Sequence, residues 1–125
     1  MKHIDILIID DEIKFADMLS RRLSLRGITC QACYDGQSGL QWLTKNPGAA
    51  ALILLDLKLP DIYGTQVLAR VKKIDPGIPV FIITGHGTRE DEKACIDLGA
   101  AEFIHKPVSI EKITALLNHA RGEVQ

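Results

Sequence analysis

Three short apolar runs in this chain end on side chains that can do chemistry. Residues 6–9 (ILII) lead into Asp10-Asp11-Glu12, residues 52–55 (LILL) into Asp56, and residues 80–83 (VFII) into Thr84. Lys106 stands two residues beyond a fourth strand-like run at 102–104. A carboxylate closing four apolar residues, as Asp56 does in LILLDLKLP, cannot stay ionised in the core those residues build, so the run must carry it to an edge. Acids gathered at one rim repel: two ionised carboxylates ~4 Å apart cost about 4 kcal/mol at an effective dielectric of about 20. A hard divalent cation removes that repulsion. Mg²⁺ suits, because it takes a few carboxylate oxygens, keeps several waters and accepts phosphate oxygens as further ligands. The rim then reads as a phosphoryl site. An Asp56 oxygen is the in-line nucleophile, Mg²⁺ and Lys106 neutralise the transferring oxygens, and the Thr84 hydroxyl hydrogen-bonds the product. Singly, each group has a plainer use: Asp10 or Asp11 as a helix cap, Thr84 as a strand residue, Lys106 as a solvated charge. The specificity lies in the combination, since separate strand ends would have to supply acids, hydroxyl and amine to one edge by accident.

Such a rim requires parallel strands joined by helices. Strand-like runs at 4–9, 29–33, 52–55, 80–83 and 102–104 alternate with stretches of helical spacing, with no Pro- or Ser-rich linker between them. This predicts one α/β domain with a parallel sheet over residues 1–125, and three of the runs are apolar throughout, as strands buried on both faces should be. Right-handed crossovers place the carboxyl ends of such strands on one edge, where ligands bind. The stripes Phe15, Met18, Leu19, Leu23, then Val67, Leu68, Val71, Ile74, then Ile110, Ile113, Leu116, Leu117 are expected to pack on the sheet. Asp35 and Ser109 read as N-caps, and Gly27 and Pro76-Gly77 mark helix ends. The stretch TREDEKACIDL (88–98) offers few apolar contacts amid many charges, so its helix should be weakly anchored.

Composition narrows the field. A chain of 125 residues buries roughly two thirds of its unfolded surface as one domain. Fifteen Lys and Arg against 16 Asp and Glu, net −1, give no general attraction to nucleic acid or an anionic membrane. The longest apolar runs fall far short of the ~20 residues that span a bilayer, and MKHID opens no secretory signal, so a cytoplasmic protein is expected. Three cysteines suit a reducing compartment. Cys30 and Cys33 form a C-x-x-C pair, but in an alternating strand they face opposite sides, and no second pair completes a zinc site; both are expected to be structural.

The motifs IIDDE (8–12), LLDLKLPDIYG (54–64), IITGHG (82–87) and FIHKP (103–107) resemble those of the receiver domain of bacterial two-component response regulators, and the resemblance covers residues 4 to about 120. It implies a flavodoxin-like (βα)5 fold: a five-stranded parallel sheet in the order 2-1-3-4-5, flanked by five helices. It further implies Asp56 as phosphoacceptor, Asp11 as a direct Mg²⁺ ligand, Asp10 as a ligand through water, and the Lys58 backbone carbonyl as the remaining protein ligand. Lys106 would pair with the phosphoryl group, and Lys106-Pro107 would be cis. Thr84 and Phe103 would form the switch, with Phe103 turning inward as Thr84 moves toward the phosphoryl oxygens. The altered face would comprise the fourth helix, fifth strand and fifth helix. The implied partners are a sensor histidine kinase or phosphotransfer protein, an output domain or effector, and a second copy on phosphorylation, with no direct binding of nucleic acid or membrane. Lys58 and His86 occupy positions that vary in the family. Their bulk is expected to hinder the hydrolytic water, the alternative being two solvated surface residues.

Three rivals share parts of this pattern. A flavin-binding relative would need a phosphate cradle free of anions, which Asp10-Asp11-Glu12 opposes; Gly85-His86-Gly87 with Glu90 is only a partial dinucleotide loop. An aspartyl-phosphate phosphatase would need a second acid two residues beyond Asp56, where Lys58 stands, so a turnover enzyme is not expected. The third is the same fold used unphosphorylated as an interaction module.

Overall fold

The structure, a computed structural model, describes residues 3–122. Five βα units follow one another: β1 (Ile4–Ile9), α1 (Ile13–Ser24), β2 (Cys30–Cys33), α2 (Gly36–Lys45), β3 (Ala50–Leu55), α3 (Gly64–Ile74), β4 (Val80–Thr84), α4 (Arg89–Asp97), β5 (Glu102–His105) and α5 (Ile110–Ala120). All strand pairings are parallel, in the order β2-β1-β3-β4-β5. This is the expected doubly wound sheet, with the order reversing between β1 and β3.

The apolar runs are continuous because both faces of the sheet are covered. Leu7, Ile9, Ile53, Leu55, Val80 and Ile82 face a core shared with Leu40 and Leu43 of α2, Val67, Leu68 and Val71 of α3, and Cys95 of α4. Ile6, Ile8, Leu52, Leu54, Phe81 and Ile83 face the other, shared with α1 and α5. Each fully buried Leu or Ile contributes roughly 1.5–3 kcal/mol, so the alternation in the three central strands stabilises both helical layers. Cys33 joins the first core and Cys30 packs against the second, on opposite faces; all three thiols are free.

Caps fall where the residue types place them. The Asp35 carboxylate accepts from the Ser38 amide at 2.8 Å and the Ser109 hydroxyl from Lys112 at 3.0 Å. α4 opens with a reciprocal box between Thr88 and Asp91 and buries only Cys95, which fits the thin anchoring read from its charges. The stripes need two corrections: Met18 and Ile74 are 37% and 39% exposed, Met18 at the seam between α1 and the start of α5 and Ile74 at the trough between α2 and α3. β4 also runs one residue further than expected, so Thr84 is its last residue rather than the first of the loop.

Candidate functional site

The carboxyl ends of β1, β3 and β4 bring the expected groups together. Backbone bonds fix the register: the Asp10 amide donates to Cys33 O at 3.0 Å and the Asp56 amide to Ile9 O at 2.9 Å. Asp10 and Asp56 are buried at 3% and 5% exposure, Asp11 is exposed, and Thr84 is fully buried. One carboxylate oxygen from each of Asp10, Asp11 and Asp56 lies within 4.8 Å of the others. Three acidic oxygens at that spacing form the donor set of a hard divalent cation, so these residues fit Mg²⁺.

Lys106 is the present counter-charge. Its ammonium donates to Asp10 Oδ2 at 2.8 Å and to Glu12 Oε1 at 2.5 Å, and stands 3.8 Å from Asp56 Oδ2. The Phe15 ring lies beneath it, 4.2 Å from Nζ to centroid, a cation–π contact. Burial drives the Asp10 carboxyl up to about 6, against the pull of its bonds from Lys106 and the Glu12 amide. Glu12, exposed, is held below the usual carboxylate range by the same ammonium. Burial alone would lower the Lys106 ammonium, but its bonds to Asp10 and Glu12 outweigh that and raise it.

The Asp56 carboxylate receives its own loop, with Oδ1 accepting from the Leu57 amide at 2.7 Å. That loop is drawn tight: the Gly64 amide donates to Leu57 O at 2.7 Å, and a side chain at Gly64 would meet the Leu57 backbone at 2.7 Å. Asp61 ties the loop to α2 by accepting from the Gly36 and Gln37 amides at 2.8 and 2.9 Å. Lys58 projects to solvent from this loop. His86 is likewise exposed, and its amide donates to Thr84 Oγ1 at 3.2 Å. The Lys106 amide donates to Thr84 O at 2.9 Å, and the Lys106-Pro107 peptide is cis.

Phe103 lies in the core at 9% exposure, with its ring edge-on to His105 at 5.4 Å. The inward position expected to follow a movement of Thr84 is thus already occupied here. Two functional contacts are not marked in the sequence. Glu12 reads there as one rim acid among several, yet it makes the shortest bond to Lys106; Phe15 reads as one of a core stripe, yet its ring lies against the same ammonium. Their spacing of three residues on one helix start puts both beside one partner, a signal that needs Lys106 to be placed before it can be read.

This chain belongs to the response regulator receiver domain family, which matches residues 6–118. It is 34% identical over 115 residues to the uncharacterized transcriptional regulatory protein YkoG of Bacillus subtilis, covering 92% of this chain and 50% of that protein. Among solved structures, the receiver domain of NtrX from Brucella abortus is similar with a TM-score of 0.83 and 32% identity, over 96% of this chain and 100% of that one. A response regulator protein from Burkholderia pseudomallei, solved with a phosphorylated aspartic acid, calcium ion and citrate, is similar with a TM-score of 0.83 and 25% identity, over 94% of this chain and 69% of that one. The chain spans half or less of the length of the first curated relatives it matches. Among the described residues, no helix is long and apolar enough to cross a membrane.

Proposed function

We propose that this receiver domain is a phosphoacceptor switch of a two-component phosphorelay, with Asp56 as the acceptor. The observation that carries this reading is the convergence of Asp10, Asp11 and Asp56 within 4.8 Å, with the Lys106 ammonium 3.8 Å from Asp56. The donor is a phosphohistidine on a sensor kinase or phosphotransfer protein. An Asp56 oxygen attacks phosphorus in line, the N–P bond breaks, and the imidazole leaves with the electron pair and takes a proton. Asp10, Asp11, Asp56 and the Lys58 carbonyl would hold Mg²⁺, which supplies charge neutralisation for the phosphoryl oxygens. Lys106 leaves Glu12 to pair with one of those oxygens. The protein carries the group rather than turning over a substrate. The phosphorylated aspartate in the Burkholderia pseudomallei relative supports the acceptor chemistry.

Thr84, at the end of β4, donates its hydroxyl to the bound phosphoryl group and gives up the His86 amide. With Phe103 already inward, this movement secures that rotamer rather than creating it, biasing the α4-β5-α5 face by ~1–3 kcal/mol toward an output domain, effector or second copy. Lys58 and His86 crowd the path of the hydrolytic water; faster dephosphorylation of Lys58→Ala and His86→Ala is expected, and unchanged rates in both would remove them from that role.

Incubation with a small acyl phosphate and Mg²⁺, followed by intact mass, is the primary test. A single phosphoryl adduct that requires Mg²⁺ and is absent from Asp56→Asn is expected. No adduct would return the chain to an unphosphorylated interaction module, and one that persists in Asp56→Asn would move the acceptor to another residue.

A further inference from the structure

An open trough of about 430 Å³ runs between α2 and α3, away from the acidic rim residues. Ile74 supplies exposed apolar surface over a floor formed by the largely buried Leu40, and Lys45, Arg70 and Lys73 supply charge, with no acidic side chain in its walls. On a chain of net charge −1, three cations around one trough are a local concentration. None of the three enters an ion pair among the described residues. Lys45 and Lys73 lie in the last turns of α2 and α3, where they offset the partial negative charge of the helix ends. Arg70, further from the end of α3, has no such use. Ile74, 39% exposed, prolongs the α3 stripe of Val67, Leu68 and Val71 beyond the core that buries them.

We propose that this trough is a docking site for an acidic amphipathic helix of a partner protein. Two neighbouring helices leave a groove that accepts a third, its apolar residues at spacings of three and four. Here those residues would cover Ile74 and reach the edge of Leu40 at the trough floor, and flanking Asp or Glu would meet Lys45, Arg70 and Lys73. The trough's outer side is open, whereas a small-molecule site encloses most of its ligand; the geometry favours a helix over a free anionic amphiphile. The site lies outside the Asp56 chemistry and needs no phosphorylation, so it stands or falls separately from the phosphoacceptor reading.

The test is a titration of the unphosphorylated, ¹⁵N-labelled chain with a capped helical peptide of about 15 residues, carrying Leu at spacings of three and four and Glu between. Saturable amide shifts confined to α2 and α3 are expected. Arg70→Gln with Lys73→Gln should weaken the Kd about tenfold, as the loss of two exposed charge pairs implies. A counterpart peptide with Lys in place of Glu should bind at least as poorly. These side chains are solvent-exposed, so the variant is expected to keep a native spectrum; Ile74→Ser is the second variant should it not. Shifts elsewhere on the surface, equal binding by the Lys peptide, an unchanged Kd in the variants, or no shifts at all would overturn the proposal. Saturation of α2 and α3 by dodecyl phosphate with no response to the Glu peptide would overturn it in favour of a small amphiphile.

Discussion

Lys106 stands 3.8 Å from Asp56 while it donates to Glu12 at 2.5 Å. The amine that should neutralise a phosphoryl group on Asp56 is therefore bonded more closely to Asp10 and to Glu12, an acid that is itself well exposed, than to the acceptor. Exposed ion pairs are worth about 0.2–1 kcal/mol, so the restraint is weak enough for the phosphoryl group to break and strong enough to slow its arrival.

Removing the competing acid should release the amine. In Glu12→Gln, phosphorylation by a small acyl phosphate at saturating Mg²⁺ is expected to accelerate, by up to about fivefold if the pair is worth about 1 kcal/mol. A time course of intact mass reads the rate. An equal rate would mean that Glu12 does not restrain the amine, and a slower one that it positions Lys106 productively.

The acidic rim should cost stability without metal. Asp10 titrates at about 6 in the fold against an ordinary 3.8, which bounds its contribution at roughly 3 kcal/mol. Because the folded value is the higher one, the folded chain binds the proton more tightly. That stability is fully present below about pH 4 and is lost as pH rises through about 6. Chemical denaturation of the metal-free chain should show Asp10→Asn gaining on the parent across this window. Mg²⁺ at about 100 times its Kd should add about 2.7 kcal/mol to the parent and far less to Asp10→Asn. Parallel pH curves for the two proteins would contradict the assignment.

α4 is pinned at its start rather than along its length. Asp91 closes the box with Thr88, accepts from the Tyr63 hydroxyl at 3.1 Å, and so links α4 to the N-cap residue of α3. Asp91→Ala should cost about 1 kcal/mol locally. Its amides from Ala94 to Ile96 should then exchange about fivefold faster, with Tyr63→Phe showing a smaller effect of the same sign. Hydrogen exchange resolved by residue measures both, and acceleration spread evenly over the sheet would show global destabilisation instead.

Gly87 holds the space that Phe103 fills. A Cβ there would lie 2.3 Å from Phe103 Cζ and 3.0 Å from Thr84 Cγ2. Gly87→Ala should therefore turn the Phe103 ring toward solvent and cost about 1–3 kcal/mol. Urea denaturation with the Phe103 ring resonances followed by NMR checks both; an unmoved ring would mean that the loop yields instead.

The layout of the sheet and the rim acids was legible because period and position encode them. An apolar run without alternation means a strand covered on both faces, and the first charged residue after it marks the edge, which is how Asp10 and Asp56 can be placed from residues 6–9 and 52–55 alone. Partner choice was not legible. Glu12 and Lys106 are 94 residues apart in the chain, and which of several rim acids takes the one amine depends on how α1 begins and where β5 ends. The same holds for Phe103, whose burial is decided by the absence of a side chain at Gly87. Tyr63 and Asp91 meet only because α3 and α4 start side by side. Sequence pattern determines which face and which edge a residue occupies; only the packed backbone sets the few ångströms that decide which charge it meets there.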